Sequence, residues 1–450
     1  MSVTLIKNAG IVSEDGIGTG SVLIIGDTIR KIHFGDYTPG TGPVPDTTVD
    51  ASGCLLFPGI IDDHVHFREP GLTHKATIAS ESLAAVAGGV TTVFDMPNCL
   101  PQTTTLKALD EKFEIASRDC LTNYSFYIGA TRDNLDQIEK INPRQTCGIK
   151  LFMGSSTGDM LVDDSAHIRA LFKAAPALIA AHCEESSIIN RNMAAYTEKY
   201  GGEPPVQCHP LIRSVEACYE SSAKAVEFAV AESAKLHILH ISTARELSLF
   251  TKGSVTDKKI TCEAVPAHLI FTDSDYGTLG TRIKCNPAVK SPADRDALRH
   301  AVADGTIDVI GTDHAPHLLS EKTGGCRSAA SGMPVLPYSL TAMMELVEEG
   351  VLTTGDIVRT MCHNPALLFG ISLRGFVREG YKADITLISR NASDEGTVSD
   401  QSVPNKCGWS PFAGRRFSWK VAHTWVNGNH VYNDGIISEE FKGEQVTFDR

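Results

Sequence analysis

Two histidines separated by one residue, His64 and His66, follow the apolar run at residues 55–61. In an extended segment, side chains two residues apart project to the same face of the strand. Both imidazoles can therefore point at one position, as the chelation of a transition metal requires. A pair with this spacing is by itself more often structural than functional, so its meaning depends on which other residues can join it.

Candidate partners stand within or directly after four later apolar runs: Lys150, His182, His240 and Asp313. Lys150 lies inside the run 148–153, where a buried ammonium group is unfavourable, unless the side chain reaches out at the strand end. The carboxyl ends of different barrel strands meet on one face, where barrel enzymes build their active sites. Together these residues predict a metal centre assembled from distant segments.

Four histidines, one lysine and one aspartate are more ligands than a single tetrahedral zinc site needs. A pair of divalent ions about 3.5–4 Å apart would use all of them and hold a hydroxide between the ions. Asp313 could take the proton of that hydroxide and pass it to the leaving nitrogen, as general base and then general acid. The predicted chemistry is hydrolysis of a C–N amide bond, or the reverse condensation.

The segments that carry these residues predict a (β/α)8 barrel. Short apolar runs alternate with helical segments such as 79–87, 168–174, 214–233 and 295–303. Eight strand–helix repeats favour a barrel, with a doubly wound sheet as the alternative. The eight runs are Leu55–Ile61, Val90–Met96, Tyr124–Ile128, Ile149–Met153, Leu178–Ala181, Leu236–Ile241, Ile260–Ala264 and Ile307–Ile310.

Both ends of the chain have β character instead. Short β segments separated by turns precede residue 54, and further β segments follow a last helical stretch at 355–368. The simplest arrangement pairs the two ends in one small β-sandwich-like module beside the barrel. The predicted domains are therefore a composite β module at 1–54 and 373–450 and a barrel at 55–372.

The composition is that of an ordinary globular enzyme: 450 residues, 42% hydrophobic and 21% charged, with a formal net charge of −13. The negative charge argues against nucleic-acid or anionic-membrane partners, and no apolar run approaches the roughly 18 residues that span a bilayer. The 12 cysteines include no C-x-x-C pair and predict reduced thiols. We expect a cytoplasmic enzyme with a small-molecule substrate and take a homodimer as the starting assumption.

Several motifs resemble the metal-dependent amidohydrolase superfamily and, within it, the dihydroorotases. The resemblance covers essentially the whole chain, including the split β module. Its two signatures are the segment 62–70 (DDHVHFREP) and the segment 311–317 (GTDHAPH), the latter followed by Lys322. Similar elements occur at 96–98 (MPN), 285–287 (CNP) and 411–414 (PFAG).

The resemblance implies which residue holds which metal. His64 and His66 would hold one zinc ion, His182 and His240 the other, and Asp313 would contact the first. Lys150 would be carboxylated by carbon dioxide and would bridge the two zinc ions as an anion. Some dihydroorotases place an aspartate in this role, whereas the segment 148–150 (GIK) resembles the lysine type.

Dihydroorotases interconvert N-carbamoyl-L-aspartate and L-dihydroorotate in the de novo synthesis of pyrimidines and UMP. Arg68, two residues after His66, can offer a bidentate fork to the substrate carboxylate. The resemblance implies that Asn98 and His317 complete this contact and that Asn286 touches the pyrimidine ring. The segment 154–158 has the small polar composition of a mobile lid, in which Ser156 and Thr157 would hydrogen-bond to substrate.

Other readings remain at this point. An allantoinase or another cyclic amidase of the hydantoinase type would use the same metal centre, but allantoinases carry a neutral residue at the position of Arg68. A non-catalytic, dihydroorotase-like scaffold would be expected to lose metal ligands, and a metal-free binding barrel would leave the polar strand ends unexplained. Four further residues are expected to pack or to orient ligands, and His268 is undecided between packing and a pocket wall: His237, His314, Glu184 and Cys183.

Overall fold

The computed structural model describes residues 1–35, 43–154, 160–392 and 395–450, and the strands in these ranges form two separate sheets. One sheet is antiparallel over most of its pairs and joins both ends of the chain. The other is parallel and comes from the middle of the chain. In chain order the strands are β1 (Val3–Ser13), β2 (Gly16–Ile25), β3 (Thr28–Phe34), β4 (Thr47–Asp50), β5 (Leu55–Pro58), β6 (Ile60–Val65), β7 (Val90–Asp95), β8 (Asn123–Gly129), β9 (Gly148–Phe152), β10 (Ile179–His182), β11 (Leu236–Ile238), β12 (Ile260–Ala264), β13 (Val309–Ile310), β14 (Ile385–Arg390), β15 (Trp419–Val426), β16 (Asn429–Asn433) and β17 (Ile436–Ile437).

The parallel sheet closes into a barrel. Strands β6 to β13 pair each with the next in chain order. A parallel bridge between Val65 and His314 joins the two ends, and the His66 amide donates to the His314 carbonyl at 2.8 Å. The strands read as near-continuous apolar runs because both of their faces are covered. The predicted (β/α)8 barrel is confirmed, and the closing bridge excludes the open doubly wound sheet.

Helices and loops between the strands cover the outside of the barrel. The helix α7 (Val215–Ala231) shows how the sequence builds them: Ser214 caps its first turn, and Cys218, Ser222, Ala225 and Ala229 form a buried stripe at helical spacing. The other α-helices in the described ranges are α1 (Ile78–Ala87), α2 (Leu106–Asp119), α3 (Leu135–Ile138), α4 (Ser165–Ala174), α5 (Ser186–Tyr200), α6 (His209–Ile212), α8 (Pro266–Ile270), α9 (Tyr276–Leu279), α10 (Pro292–Ala303), α11 (Ser339–Glu348), α12 (Thr354–Val358) and α13 (Asn364–Phe369).

The second sheet contains the strands of both termini in the order β17-β16-β15-β14-β5-β1-β2-β3, with β4 paired to β1. The two ends of the chain meet where β5 pairs antiparallel with β14, for example Leu56 opposite Leu387. Its core is apolar and includes Leu56, Ile385 and Trp425, all of which are fully buried. The predicted pairing of the two termini is therefore confirmed.

The prediction that Leu55–Ile61 forms one barrel strand is wrong. Leu55–Pro58 pairs in the terminal sheet, and a separate strand, Ile60–Val65, begins the barrel. Gly59 makes the junction, where an added Cβ would lie 2.2 Å from the Thr91 hydroxyl. Hydrophobicity cannot reveal this division because both halves of the run are buried. The predicted strand Ile260–Ala264 has the predicted bounds, and the other predicted barrel strands are present with shifted ends. The domain bounds 1–54, 55–372 and 373–450 stay a prediction.

Two further observations concern the chain as a whole. Within the described ranges, no helix combines the length and the apolar character needed to cross a membrane. The 12 cysteines all lie in these ranges and are free thiols, as expected. The cytoplasmic location and the homodimer stay predictions.

Candidate active site

A cavity of about 510 Å³ opens at the carboxyl ends of the barrel strands. Segments more than 200 residues apart in the chain meet in its wall. Ten of the twelve residues singled out from the sequence line it: His64, His66, Arg68, Asn98, Lys150, His182, His240, Asn286, Asp313 and His317. The other two, Ser156 and Thr157, lie outside the described residues.

Three of these residues adopt backbone conformations that L-amino acids rarely occupy. Arg68, His240 and Asp313 have φ angles of 68°, 42° and 48°. Left-handed backbone at a non-glycine residue is strained and persists where the surrounding structure enforces it, commonly at functional sites. The strain falls just after strands β6, β11 and β13, where the chain turns its side chains into the cavity.

His64, His66 and Asp313 form the first half of the site. Asp313 Oδ1 lies 3.3 Å from His64 Nε2 and 3.1 Å from His66 Nε2. Ligand atoms around a tetrahedral zinc ion are about 3.3 Å apart, because each metal–ligand bond is about 2.0–2.1 Å long. The three side chains therefore have the spacing that one metal ion requires.

His182, His240 and Lys150 form the second half. His182 Nδ1 and His240 Nε2 face each other at 3.0 Å, and the two rings meet edge to face. Lys150 is 1% exposed, and its ammonium nitrogen lies 4.7 Å from the centre of the Phe152 ring. Burial lowers the pKa of Lys150 to about 8, so a larger fraction of the amine is neutral than in a solvent-exposed lysine.

The electrostatics of the histidines suit metal binding. Burial lowers the pKa of His64 and of His240 well below the usual imidazole value, so both rings are neutral at pH 7. The neutral imidazole is the form that ligates metal. Burial alone would raise the pKa of Asp313, but contacts with His64 and His66 outweigh it and hold that carboxylate ionised.

Each of three candidate ligands has an oxygen partner on its other ring nitrogen. Both carboxylate oxygens of Glu263 lie 3.1 Å from His64 Nδ1, and Asn98 Oδ1 lies 2.7 Å from His66 Nδ1. Glu184 Oε2 lies 3.1 Å from His182 Nε2. Such partners fix the tautomer and orientation of a metal-bound imidazole.

Arg68 and His317 stand together beside this cluster. The Arg68 Nε–H donates to the carbonyl of Pro316 at 3.0 Å, and its terminal nitrogen lies 3.2 Å from His317 Nε2. Lys75 Nζ lies 3.1 Å from His317 Nδ1 on the other side of that ring. Across the cavity, His209 Nε2 lies 3.1 Å from Asn286 Oδ1.

Sequence reasoning missed several residues of the site. Glu263 could have been recognised, because it places a carboxylate in the apolar strand β12 as Lys150 places an amine in β9. His209, Arg213 and Lys284 also line the cavity, but no local pattern distinguishes them from other polar residues. Only the folding of their segments over the barrel mouth brings them there.

His314 and Cys183, expected to orient ligands or to pack, and the undecided His268 can now be placed. His314 is fully buried and lies 2.7 Å from Glu81 through Nε2, and its Nδ1 accepts from the Leu336 amide. His268 is buried 3.0 Å from the Pro287 carbonyl and does not contribute to the cavity wall. Cys183 is buried in the apolar core of the barrel.

The donor set fits divalent metal ions. Neutral imidazole nitrogens face each other or a carboxylate at ligand-to-ligand distances, and the buried Lys150 lines the same cavity. Imidazole and carboxylate donors together favour zinc and related transition metals. The neighbouring carboxylates Glu263 and Glu184 complete the arrangement seen around metal-bound histidines.

Known proteins are similar to this chain in sequence and in fold. Residues 55–431 match the profile described as the amidohydrolase family. The chain is 33% identical over 410 residues to a dihydroorotase of Halobacterium salinarum, covering 90% of this chain and 93% of that relative. It is 29% identical over 439 residues to an allantoinase of Bacillus velezensis, covering 96% and 94%. The structure of an L-hydantoinase (dihydropyrimidinase) from Arthrobacter aurescens superimposes with a TM-score of 0.91 at 26% identity, covering 99% of this chain and 100% of that chain.

Proposed function

The chain belongs to the amidohydrolase family and is a hydrolase of cyclic amides, and from that premise we propose that it is a dihydroorotase. The reaction would be the reversible cyclisation of N-carbamoyl-L-aspartate to L-dihydroorotate in pyrimidine biosynthesis. Dihydroorotases at about 30% identity over most of the chain support this assignment. An allantoinase of similar identity makes the choice of substrate depend on the site itself.

The observation that carries the proposal is that Arg68 is buried beside the cavity without a carboxylate partner among the described residues. Its guanidinium borders the cavity, is 8% exposed, and has no carboxylate within ion-pair distance among the described residues. A buried, unpaired cation is unfavourable unless an anionic ligand pairs with it. Dihydroorotate and carbamoyl aspartate carry a carboxylate outside the reacting amide, whereas allantoin and hydantoin do not.

We assign the metal ligands as the sequence predicted. His64, His66 and Asp313 would hold one zinc ion and His182 and His240 the other, with Lys150 between them. When bound, two such ions polarise a carbonyl and lower the pKa of water to near neutrality. Glu263, Asn98 and Glu184 would keep the imidazoles of His64, His66 and His182 in the ligating orientation.

Lys150 would act as a carbamate. Its neutral amine adds to carbon dioxide, forming an N–C bond, and the loss of one proton leaves a single negative charge. The burial of Lys150 and its lowered pKa support this step, because the neutral amine is the reactive form. The modification also replaces a buried cation with an anion suited to a site for cations.

Asp313 would move the proton. Its carboxylate is ionised and lies at the mouth of the cavity, so it can accept a proton from the attacking water and deliver it to the ring nitrogen that leaves. Arg68 and His317 would hold the substrate carboxylate, and Asn286 would face the ring. The carbonyl oxygen of Asn98 lies 2.7 Å from His66 Nδ1, which leaves the amide nitrogen of Asn98 to donate to the substrate.

A paired assay tests this proposal. Ring opening of dihydroorotate, allantoin and hydantoin would be measured for the zinc-loaded protein and for Arg68→Met, with Arg390→Met as the matched control. Arg390 is an exposed arginine that pairs with Glu348. We expect turnover of dihydroorotate that falls about 100-fold or more in Arg68→Met, because a charge-assisted bidentate contact is lost.

Two results would reject the assignment. Turnover of allantoin or hydantoin without turnover of dihydroorotate would identify a different cyclic amidase. Equal dihydroorotate activity in Arg68→Met and in Arg390→Met would remove the carboxylate contact on which the substrate assignment depends.

A further inference from the structure

The imidazole of His317 lies between two basic side chains at the edge of the cavity. On one side, Lys75 Nζ lies 3.1 Å from His317 Nδ1. On the other side, a terminal nitrogen of Arg68 lies 3.2 Å from His317 Nε2, and the Ser331 carbonyl oxygen lies 3.1 Å from the same Nε2. What the ring can offer to a ligand depends on which of its two nitrogens carries a proton.

The contacts of the ring decide the position of that proton. Burial, together with the charges of Arg68 and Lys75, lowers the pKa of His317 well below the usual imidazole value, so the ring is neutral and carries one proton. An ammonium group has three donors and no acceptor, so Nδ1 must accept from Lys75. The proton therefore sits on Nε2, from which it donates to the Ser331 carbonyl.

Glu321 holds Lys75 in this position from behind. Its Oε1 lies 2.9 Å from Lys75 Nζ, and its Oε2 accepts from the Leu318 amide at 2.9 Å. The Lys75 side chain is 13% exposed, so few water molecules compete for its contacts. Glu321 Oε2 is 3.6 Å from His317 Nδ1, too far for a hydrogen bond, so this carboxylate cannot replace the ammonium as the partner of the ring.

The position of the proton determines what the edge of the cavity presents to an anion. With the proton on Nε2, His317 and Arg68 place two N–H donors side by side, 3.2 Å apart. The Arg68 Nε–H is taken by the Pro316 carbonyl, which leaves the terminal N–H groups for a ligand. Adjacent donors, one of them cationic, are suited to the two oxygens of a carboxylate. In the other tautomer, Nε2 would turn a lone pair towards that carboxylate and repel it.

We propose that Lys75 is a positioning residue for the substrate carboxylate: it fixes the tautomer of His317 in which Nε2 donates, so that this ring and Arg68 bind one anionic group together. The proposal rests on the proposed dihydroorotase function. Lys75 is not among the described residues of the cavity wall, so it acts through His317 and not by contact with the substrate. Its positive charge also favours an anion on the far side of the ring.

Neutron diffraction on the deuterium-exchanged, zinc-loaded protein without substrate locates the proton directly. We expect a deuteron on His317 Nε2 and none on Nδ1, where the three deuterons of Lys75 should include one that points at the ring. A deuteron on Nδ1, alone or together with one on Nε2, would overturn the proposal. This result does not depend on which cyclic amide the protein hydrolyses, so it stands apart from the dihydroorotase assignment.

Steady-state kinetics with L-dihydroorotate gives a second test, on Lys75→Met and Lys75→Arg. We expect Lys75→Met to raise KM about 10-fold while kcat changes less than about 2-fold, as the loss of binding common to the ground state and the transition state requires. Lys75→Arg should restore most of the lost affinity, because a guanidinium is also a donor without an acceptor.

Lys420→Met is the matched control, since Lys420 is an ion-paired lysine of the terminal sheet whose ammonium lies 2.8 Å from Asp434. An unchanged KM in folded Lys75→Met, or an equal rise in Lys420→Met, would overturn the proposal. If Lys75→Met does not fold, the neutron map decides. A wild-type protein that does not turn over dihydroorotate would reject the proposed function, while the map would still decide the tautomer.

Discussion

The mouth of the barrel and the core of the terminal sheet bury their side chains in opposite ways. The mouth buries imidazoles, a lysine and carboxylates and holds three non-glycine residues at positive φ. The core of the terminal sheet buries aliphatic side chains around Trp425. Active sites commonly reduce stability for the sake of chemistry, while apolar packing elsewhere compensates for it. The difference indicates that one region determines activity and the other supports the fold.

The two regions are nevertheless joined by one short stretch of chain. Leu55–Pro58 pairs in the terminal sheet, and Ile60–Val65, which carries His64, begins the barrel one residue later. The sheet thereby anchors the strand that delivers the first candidate ligands. Changes in the sheet should affect activity only through the fraction of folded protein, and this separation can be tested.

The largest effect is expected at the mouth, from Asp313→Asn. The amide keeps the shape of the side chain but cannot accept and deliver the proton, so we expect kcat to fall about 10²–10⁴-fold. The urea midpoint should be unchanged or raised. Steady-state assays and urea titrations check both values, with the exposed Asp434→Asn as control. Near-normal kcat in Asp313→Asn would break the assignment of activity to the mouth.

The opposite pattern is expected from Trp425→Ala in the terminal sheet. Trp425 is fully buried, and its truncation should lower the free energy of unfolding by about 3–5 kcal/mol. The kcat/KM of the protein that remains folded should not change. Trp425→Phe, which keeps an aromatic ring, should lose less stability in the same denaturation experiment. A change in kcat/KM at equal folded fraction would show that the two regions are coupled.

Metal removal sharpens the comparison further. Ions that bind only the folded state at 10²–10³ times their dissociation constant stabilise it by about 3–4 kcal/mol. We expect chelator treatment to abolish activity and to lower the melting temperature of the wild-type protein. The same loss of stability should appear in Trp425→Ala, because distant sites contribute additively. Calorimetry with and without chelator measures both losses, and unequal losses would contradict independent regions.

The smallest effect is a pH dependence in the terminal sheet. Burial, with the neighbouring His423, lowers the pKa of His430 from 6.5 to about 4. The unfolded chain therefore binds a proton between pH 6.5 and 4 while the folded chain does not, and stability falls as the pH falls through this window. Because the ring is partly exposed, we expect a loss on the order of 1 kcal/mol. Urea titrations of wild type and His430→Gln should show a shallower decline in the variant.

Much of the site followed from local sequence. His64 and His66 are two residues apart in a strand, and Lys150 interrupts an apolar run, so each departs visibly from its surroundings. Glu263 departs in the same way and could have been noticed. His209 begins the short helix α6 and Arg213 follows its last residue, and no spacing in the chain indicates that they reach the cavity. The substrate roles of Ser156 and Thr157 stay a prediction.

Alternating apolar and helical segments, by themselves, determined a parallel barrel with polar strand ends, because burial on both faces of a strand imposes a pattern that the chain must carry locally. The tertiary structure decided where the run at 55–61 divides between two sheets and which histidine nitrogens face which carboxylates. It also decided that Asp63, His237 and Glu263 meet behind His64. The physical reason is that hydrophobicity records whether a side chain is buried, whereas distances of 3 Å between residues far apart in the chain depend on strand register and on barrel closure.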